Sequence, residues 1–343
     1  MLTVLPPDET LRAKVARRLD AKTKPPRSLG RLEDLAATVA AIQRTEQPSV
    51  RKKAIVVMAG DHGVAASGVS AYPQEVTVQM LANFAAGGAA ICVLARQAGA
   101  EVVIVDMGCA TAWKGHPAVL DRRIAKGTRD FTKGPAMTRE EAQKAVDVGI
   151  AIATELADRE VSLLGLGEMG IGNTTAASAM AAAFLGLAPE EVTGRGTGVD
   201  DSGYRRKLDG IRRALEVNRP DPADGLDVLA KVGGFEIAGL AGVAIGAAAR
   251  RVPVVTDGLI ATAAALAATR LVPAVRGYLI PSHGSVEIGH RRLLEAMNLK
   301  PLLDLEMRLG EGTGAALAMH LVDASIRILD EMATFESAGV SGP

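Results

Sequence analysis

The sequence predicts an α/β fold, a mostly parallel sheet with helices on both faces, with a small helical subdomain drawn from the two chain ends. Three observations predict it. Short β-rich runs recur, each followed by glycine beside a polar or charged residue. Helical stretches with recognisable caps separate those runs, the alternation of a parallel sheet. Both ends of the chain carry apolar residues at helical spacing.

Taken in order, residues 1–50 read as amphipathic helices. Leu11, Val15 and Leu19 share one helical face, and Leu29, Leu32, Leu35, Ala36 and Val39 repeat the spacing. Pro25 and Pro26 break the first helix, and Ser28 is placed to cap the second. The first strand is 54–59 (AIVVMA), running into GDHG at 60–63. Residues 102–105 form the next and end in Asp106-Met107-Gly108. Residues 161–164 lead into a glycine-dense turn, 253–256 into Asp257-Gly258, and 278–280 into PSHG at 281–284. Between them, Thr138-Arg139-Glu140-Glu141 is a capping box for a helix reaching about Asp158. Asp200-Asp201-Ser202 caps another through about Val217. Residues 312–332 have the spacing of a long final helix, with Leu317, Leu321, Ala324 and Ile328 on one face. In such sheets ligands bind beyond the carboxyl ends of the strands, where these polar residues collect.

Composition narrows the function. Net charge is zero over 343 residues, with 39 basic and 39 acidic side chains and no basic stripe, which argues against nucleic acid or membrane surfaces as partners. The N-terminus lacks a hydrophobic signal core. The most apolar stretch, 237–249, is shorter than the roughly 20 residues a bilayer requires, so it reads as a buried helix and the chain as cytoplasmic. Two cysteines, Cys92 and Cys109, are too few for a disulfide scaffold and read as buried thiols.

The chemistry centres on VSLLGLGEMGIGNTTAASAM, 161–180. Strand, glycine loop and capped helix together make a phosphate cradle, because glycines admit a ligand to backbone N–H groups and a helix N-terminus favours an anion. Glu168 sits inside that loop, and a cationic substrate group would explain a carboxylate there. Residues 165–170 also match G-x-G-x-x-G, but the pattern alone is weak. Glu168 stands where a pyrophosphate would pass, and the acids that follow, Glu190-Glu191, do not end a strand. A second glycine loop, 194–198, precedes Arg205-Arg206-Lys207. Lys207 is either a wet helical lysine or a phosphate counter-charge. Asp61-His62 and Ser282-His283 follow strands without metal-site spacing, and hydrogen bonds to loop backbone are the expected role. Glu311, flanked by glycines in RLGEGTG, is either a charge on a helix N-terminus or, in an apolar pocket, a base with a raised pKa.

Taken together, TKPPRSLGRLE, GDHGVAASGVSAYPQEVTVQM, LGLGEMGIGNTTAASA, GRGTGVDDSGYRRK, PSHGSVEIGH and RLGEGTGAALAMHL resemble, in this order, the nicotinate-nucleotide:5,6-dimethylbenzimidazole phosphoribosyltransferase family over nearly the whole chain. The resemblance implies transfer of phosphoribose from nicotinate mononucleotide to a benzimidazole-type base, with nicotinate and α-ribazole 5′-phosphate as products, for the nucleotide loop of cobalamin. It implies Glu311 as general base and Glu168 near the reacting groups. It places the phosphate on Gly170, Gly172, Asn173 and Thr174, with Lys207 as counter-charge and the loop of Gly196, Thr197 and Gly198 nearby. Tyr72, Gln79, Met80 and Leu309 match positions lining the base pocket, and Ser285 a substrate contact. It further implies a homodimer, no cofactor and no metal. The expected division is a Rossmann-like catalytic domain over 51–300, completed by a small helical domain from 1–50 and 301–343. Two positions depart from expectation: Arg27, where a glycine is expected, and Tyr72, which leaves the acceptor base open.

Overall fold

The structure is a computed structural model that describes residues 3–196 and 198–341. Its N-terminal helices are α1 (Glu9–Asp20) and α2 (Arg31–Gln43). Asp8 caps α1 by accepting the Leu11 N–H. Ser28 does not cap α2: the N-cap position is Gly30, which has no side chain to offer, and Glu33 reaches back to the Leu29 N–H instead. Arg27, where a glycine was expected, adopts a left-handed φ of 62°.

The sheet begins with β1 (Lys53–Gly60). Then come α3 (Glu75–Ala85), α4 (Ala90–Ala98), β2 (Ala100–Gly108) and a three-residue strand, β3 (Val119–Asp121). After α5 (Arg139–Asp158), whose Thr138–Glu141 capping box is formed, comes β4 (Leu163–Met169). Four helices follow: α6 (Asn173–Leu185), α7 (Pro189–Val192), α8 (Asp201–Asn218), capped by Asp200, and α9 (Gly225–Val232). The chain continues through α10 (Phe235–Ala249), β5 (Val254–Thr256), α11 (Leu259–Leu271), β6 (Leu279–Pro281) and α12 (Ile288–Ala296). It closes with α13 (Thr313–Glu331) and α14 (Phe335–Ala338).

Among the described residues the strands form one sheet in the order β3-β2-β1-β4-β5-β6, and every pairing is parallel. The order reverses between β1 and β4, so the topological switch point, where open α/β sheets bind ligands, lies at their carboxyl ends. Two hydrophobic cores cover the two faces. On one, α5, α6, α10 and α11 bury Val56, Met58, Leu164, Leu166 and Val254. On the other, α1, α2, α4 and α13 bury Ile55, Val57, Leu163, Val255 and Ile280. The terminal helices thus share a core with one face of the sheet. The expected buried helix at 237–249 is α10, almost entirely enclosed. By composition alone, Glu75–Ala98 is also apolar enough to cross a membrane, but it is broken into α3 and α4.

β4 departs from the sequence reading. Residues 165–169 were expected in a glycine loop, yet they are strand, with Gly165 opposite Ile55 and Glu168 opposite Met58. The glycines serve close approach. A Cβ on Gly167 would overlap the Glu311 backbone carbonyl, and one on Gly165 would crowd Ile55, Met319 and Ala315. The start of α13 therefore lies directly on β4.

Candidate active site

A cavity of about 650 Å³ opens at the carboxyl ends of the strands, within the size range of small-molecule sites. Strand β4 delivers Glu168 and Met169 to it, and the turn into α6 delivers Gly170, Ile171, Asn173 and Thr174. Gly172, at φ 99°, is the N-cap position of α6, so the helix N-terminus faces the cavity with backbone donors. The turn is anchored from outside: the Ile171 N–H donates to the Thr77 hydroxyl of α3 at 3.2 Å. A Cβ on Gly170 would strike the Gly60 carbonyl at the end of β1.

Behind this cradle lies a buried cation. Lys207, fully enclosed on α8, donates from Nζ to Thr174 Oγ1 at 2.9 Å and to the Gly194 carbonyl at 3.3 Å. Burial lowers its pKa to about 8, against the opposing charge of Glu287. Of Arg205, Arg206 and Lys207, the lysine is the one turned inward. The 194–196 segment is fixed from two sides, with Glu287 Oε1 accepting the Gly196 N–H at 3.0 Å and Arg308 donating to the Gly196 carbonyl at 3.2 Å.

Two carboxylates face the cavity from different elements. Glu168 is buried and hydrogen-bonded by the Asn173 amide. Burial, then the charges of Asp257 and Glu236, raises its pKa to about 8, against the Asn173 hydrogen bond. Glu311 reaches in from the loop before α13 and accepts the Ile91 N–H at 3.4 Å, in the first turn of α4. Burial holds its pKa above the ordinary glutamate value, with that N–H opposing. Glu311 is left-handed at φ 62°, between Gly310 at 86° and Gly312 at 89°. A Cβ on Gly310 would overlap the Glu168 carboxylate, so these two acidic segments are in contact.

The lining also includes an apolar set, Tyr72, Val76, Met80, Ile171 and Leu309. Tyr72 and Leu309 lie at the rim, 55% and 59% exposed. The structure therefore brings Tyr72, Met80, Glu168, Gly170, Asn173, Thr174, Gly196, Ser285, Leu309 and Glu311 to one cavity. Gln79 is exposed on α3 and does not line it. Gly172, Gly198 and Lys207 stand outside the lining, Lys207 directly behind Thr174. Thr197 lies outside the described residues.

Sequence reasoning missed several lining residues. His283, expected only to bond loop backbone, faces the cavity, and its ring Nδ1 lies 3.0 Å from Ser282 Oγ. Burial lowers its pKa, which favours the neutral ring. His62 is also no backbone anchor: its Nε2 pairs with Glu236 Oε1 at 2.6 Å, fully buried. Asp61 does bond loop backbone, accepting the Ala110 N–H at 2.8 Å. Glu287 and Arg308 carried no local signal, because each acts on a loop distant in sequence. Among the described residues, no group of three or more His, Cys, Asp or Glu side chains is arranged to hold a metal ion.

The phosphoribosyltransferase family model DBI_PRT matches residues 4–340. The chain belongs to this family. Similar proteins include the nicotinate-nucleotide–dimethylbenzimidazole phosphoribosyltransferases of Chloroflexus aggregans and Geobacter metallireducens. The first is 57% identical over 98% of this chain and 95% of the relative, the second 56% identical over 98% and 96%. A solved enzyme of the same name from Thermus thermophilus superposes with a TM-score of 0.92 at 47% identity, covering 98% of this chain and all of that one. As a phosphoribosyltransferase, the chain is a pentosyltransferase by class.

Proposed function

We propose that this enzyme transfers phosphoribose from nicotinate mononucleotide to 5,6-dimethylbenzimidazole, giving α-ribazole 5′-phosphate and nicotinate for assembly of the nucleotide loop of cobalamin. The observation that carries the reading is one cavity lined by apolar side chains, by the 170–174 turn at the start of α6, and by Glu168 and Glu311. The names of the relatives support it over the full chain.

The donor phosphate sits on the Gly170–Thr174 turn, with Lys207 supplying charge through Thr174 and Gly196 closing one side. The flat base lies against Tyr72, Val76, Met80 and Leu309. Glu311 takes the proton from one imidazole nitrogen while the other attacks the anomeric carbon. The C–N bond to nicotinate breaks, its electron pair neutralises the pyridinium, and the anomeric centre inverts. Positive charge that develops on the ribose is stabilised by carboxylate at the site. Glu168, with a pKa about 8, holds its proton near neutrality and orients the ribose through Asn173. Gly196 borders the phosphate site in this reading, whereas Gln79 and Gly198 stand outside the lining and contribute no contact to it.

We also infer a homodimer, in which a second copy covers the exposed Tyr72 and Leu309. Light scattering at micromolar concentration tests it: a monomer mass would refute it.

The reaction is tested by incubating the protein with nicotinate mononucleotide and 5,6-dimethylbenzimidazole and separating the products. Free nicotinate together with a benzimidazole ribotide is the expected result. Nucleotide binding without nicotinate release, across a panel of benzimidazoles, adenine and phenolics, would overturn it.

A further inference from the structure

The loop that carries Glu311 ends in a helix whose own sequence does not cap it. The N-cap position of α13 is Gly312, which has no side chain to offer. Its first backbone donors nevertheless have partners. The Gly312 N–H donates to Asp257 Oδ2 at 3.1 Å, and the Gly314 and Ala315 N–H groups donate to Asp257 Oδ1 at 2.8 and 3.2 Å. Thr313 is satisfied locally, by the Gly310 carbonyl at 3.0 Å. Asp257 directly follows β5, more than fifty residues upstream, and is 1% exposed. It does not line the cavity.

The glycines of GEGTG read as the counterpart of that carboxylate. A Cβ on Gly314 would run into the His283 ring and Asp257 Oδ1, and one on Gly312 would press on Ile55. The backbone must come this close for its N–H groups to reach Asp257. A buried anion at the positive end of a 19-residue helix is favourable. It also fixes the residue just before the helix. Glu311 is left-handed between two left-handed glycines, a conformation that persists only where the surroundings hold it.

We propose that Asp257 is the positioning residue for Glu311: it caps α13 from the end of β5 and thereby holds the Glu311 carboxylate at the reacting nitrogen. This rests on Glu311 being the general base. It predicts that most of the effect of Asp257 on turnover passes through Glu311. The Asp257→Asn side chain keeps its shape but turns an NH₂ toward donors that need an acceptor.

The test is a double-mutant cycle with Glu311→Gln, read as kcat and KM for nicotinate mononucleotide on protein normalised by nucleotide-binding stoichiometry. Asp257→Asn alone is expected to lower kcat by about 10- to 100-fold, the range of a displaced base, with KM within about 3-fold. On top of Glu311→Gln it is expected to cost less than about 2-fold, because residues acting as one unit are not additive. If the second loss is as large as the first, or if Asp257→Asn leaves kcat unchanged, the positioning role is overturned. Glu311→Gln near the normal rate would instead overturn the base assignment itself. Should Asp257→Asn fail to fold, Gly314→Ala pushes the helix start off Asp257 with both carboxylates intact. The same non-additivity with Glu311→Gln is expected, and additive losses would again refute the proposal.

Discussion

At the residue scale, the buried carboxyls of Glu168, Asp257 and Glu311 sit near the strand ends, and their protonation shapes the pH behaviour. Glu168 titrates near 8 in the folded chain against 4.5 ordinarily, so the folded state retains a proton that the unfolded chain gives up between those values. Stability from this group is complete below about pH 4.5 and is lost as pH rises toward 8. Asp257, raised to about 7 by burial against four backbone N–H bonds, has the same sign. Glu168→Gln is therefore expected to melt higher than the parent at pH 8 and equally at pH 4.5, by about 2–4 °C for each kcal/mol recovered. A scanning-calorimetry series that falls with pH as steeply in the variant as in the parent would contradict this. As the proposed base, Glu311 bears on rate. Glu311→Gln is expected to cut turnover by at least about 10²-fold, the scale of a positioned base. Because its pKa is raised, kcat/KM should climb with pH along a limb above the ordinary glutamate value, and that limb should vanish in the variant. Glu311 could be suspected from its flanking glycines alone. The role of Asp257 could not, because its partners are backbone atoms more than fifty positions away.

At the scale of elements, glycine is used here for contact more than for turns. Helices α5 and α10 cross where Gly149 meets Gly239 and where Gly242 and Gly246 meet the α5 backbone. A Cβ on Gly149 would overlap the Gly239 carbonyl. Gly149→Ala is thus expected to destabilise by about 1–3 kcal/mol, outweighing the roughly 0.5–1 kcal/mol alanine ordinarily gains in a helix. A denaturant midpoint that moves upward would refute that packing. The same use of glycine explains why 165–169 looked like a loop and is a strand. Local pattern reads glycine density as flexibility, whereas here Gly167 is what lets α13 rest on β4. Caps set by adjacent residues, as at Thr138–Glu141 and Asp200, were legible because donor and acceptor lie within one turn. Ser28 failed by the same measure, since Glu33 and Gly30 already shape that helix start.

At the scale of the molecule, the switch point between β1 and β4 brings both wings of the sheet to one cavity. Ligand binding should therefore tighten both. Nicotinate mononucleotide at about 100 times its dissociation constant is expected to add about 2.7 kcal/mol to stability. Glu311→Gln should keep that gain, because the proposed phosphate site is built by the 170–174 turn and not by the Glu311 carboxylate. Hydrogen exchange should show protection at 170–175 and at 308–315 together. Protection confined to 170–175 would mean that the Glu311 loop does not take part in the bound state.

By itself the sequence determined the alternation of strands and helices, the helical character of both chain ends, and the segments where chemistry sits. Each of these is written in spacing over a few residues or in whole motifs. The tertiary structure alone decided which of those segments meet. It set the strand order, put Lys207 behind Thr174 and left Gln79 outside the cavity. It also set Asp257 on the first N–H groups of α13, beside Glu311. These are contacts across long separations in sequence, made possible by the close approach of backbones at glycines, and no local pattern carries them.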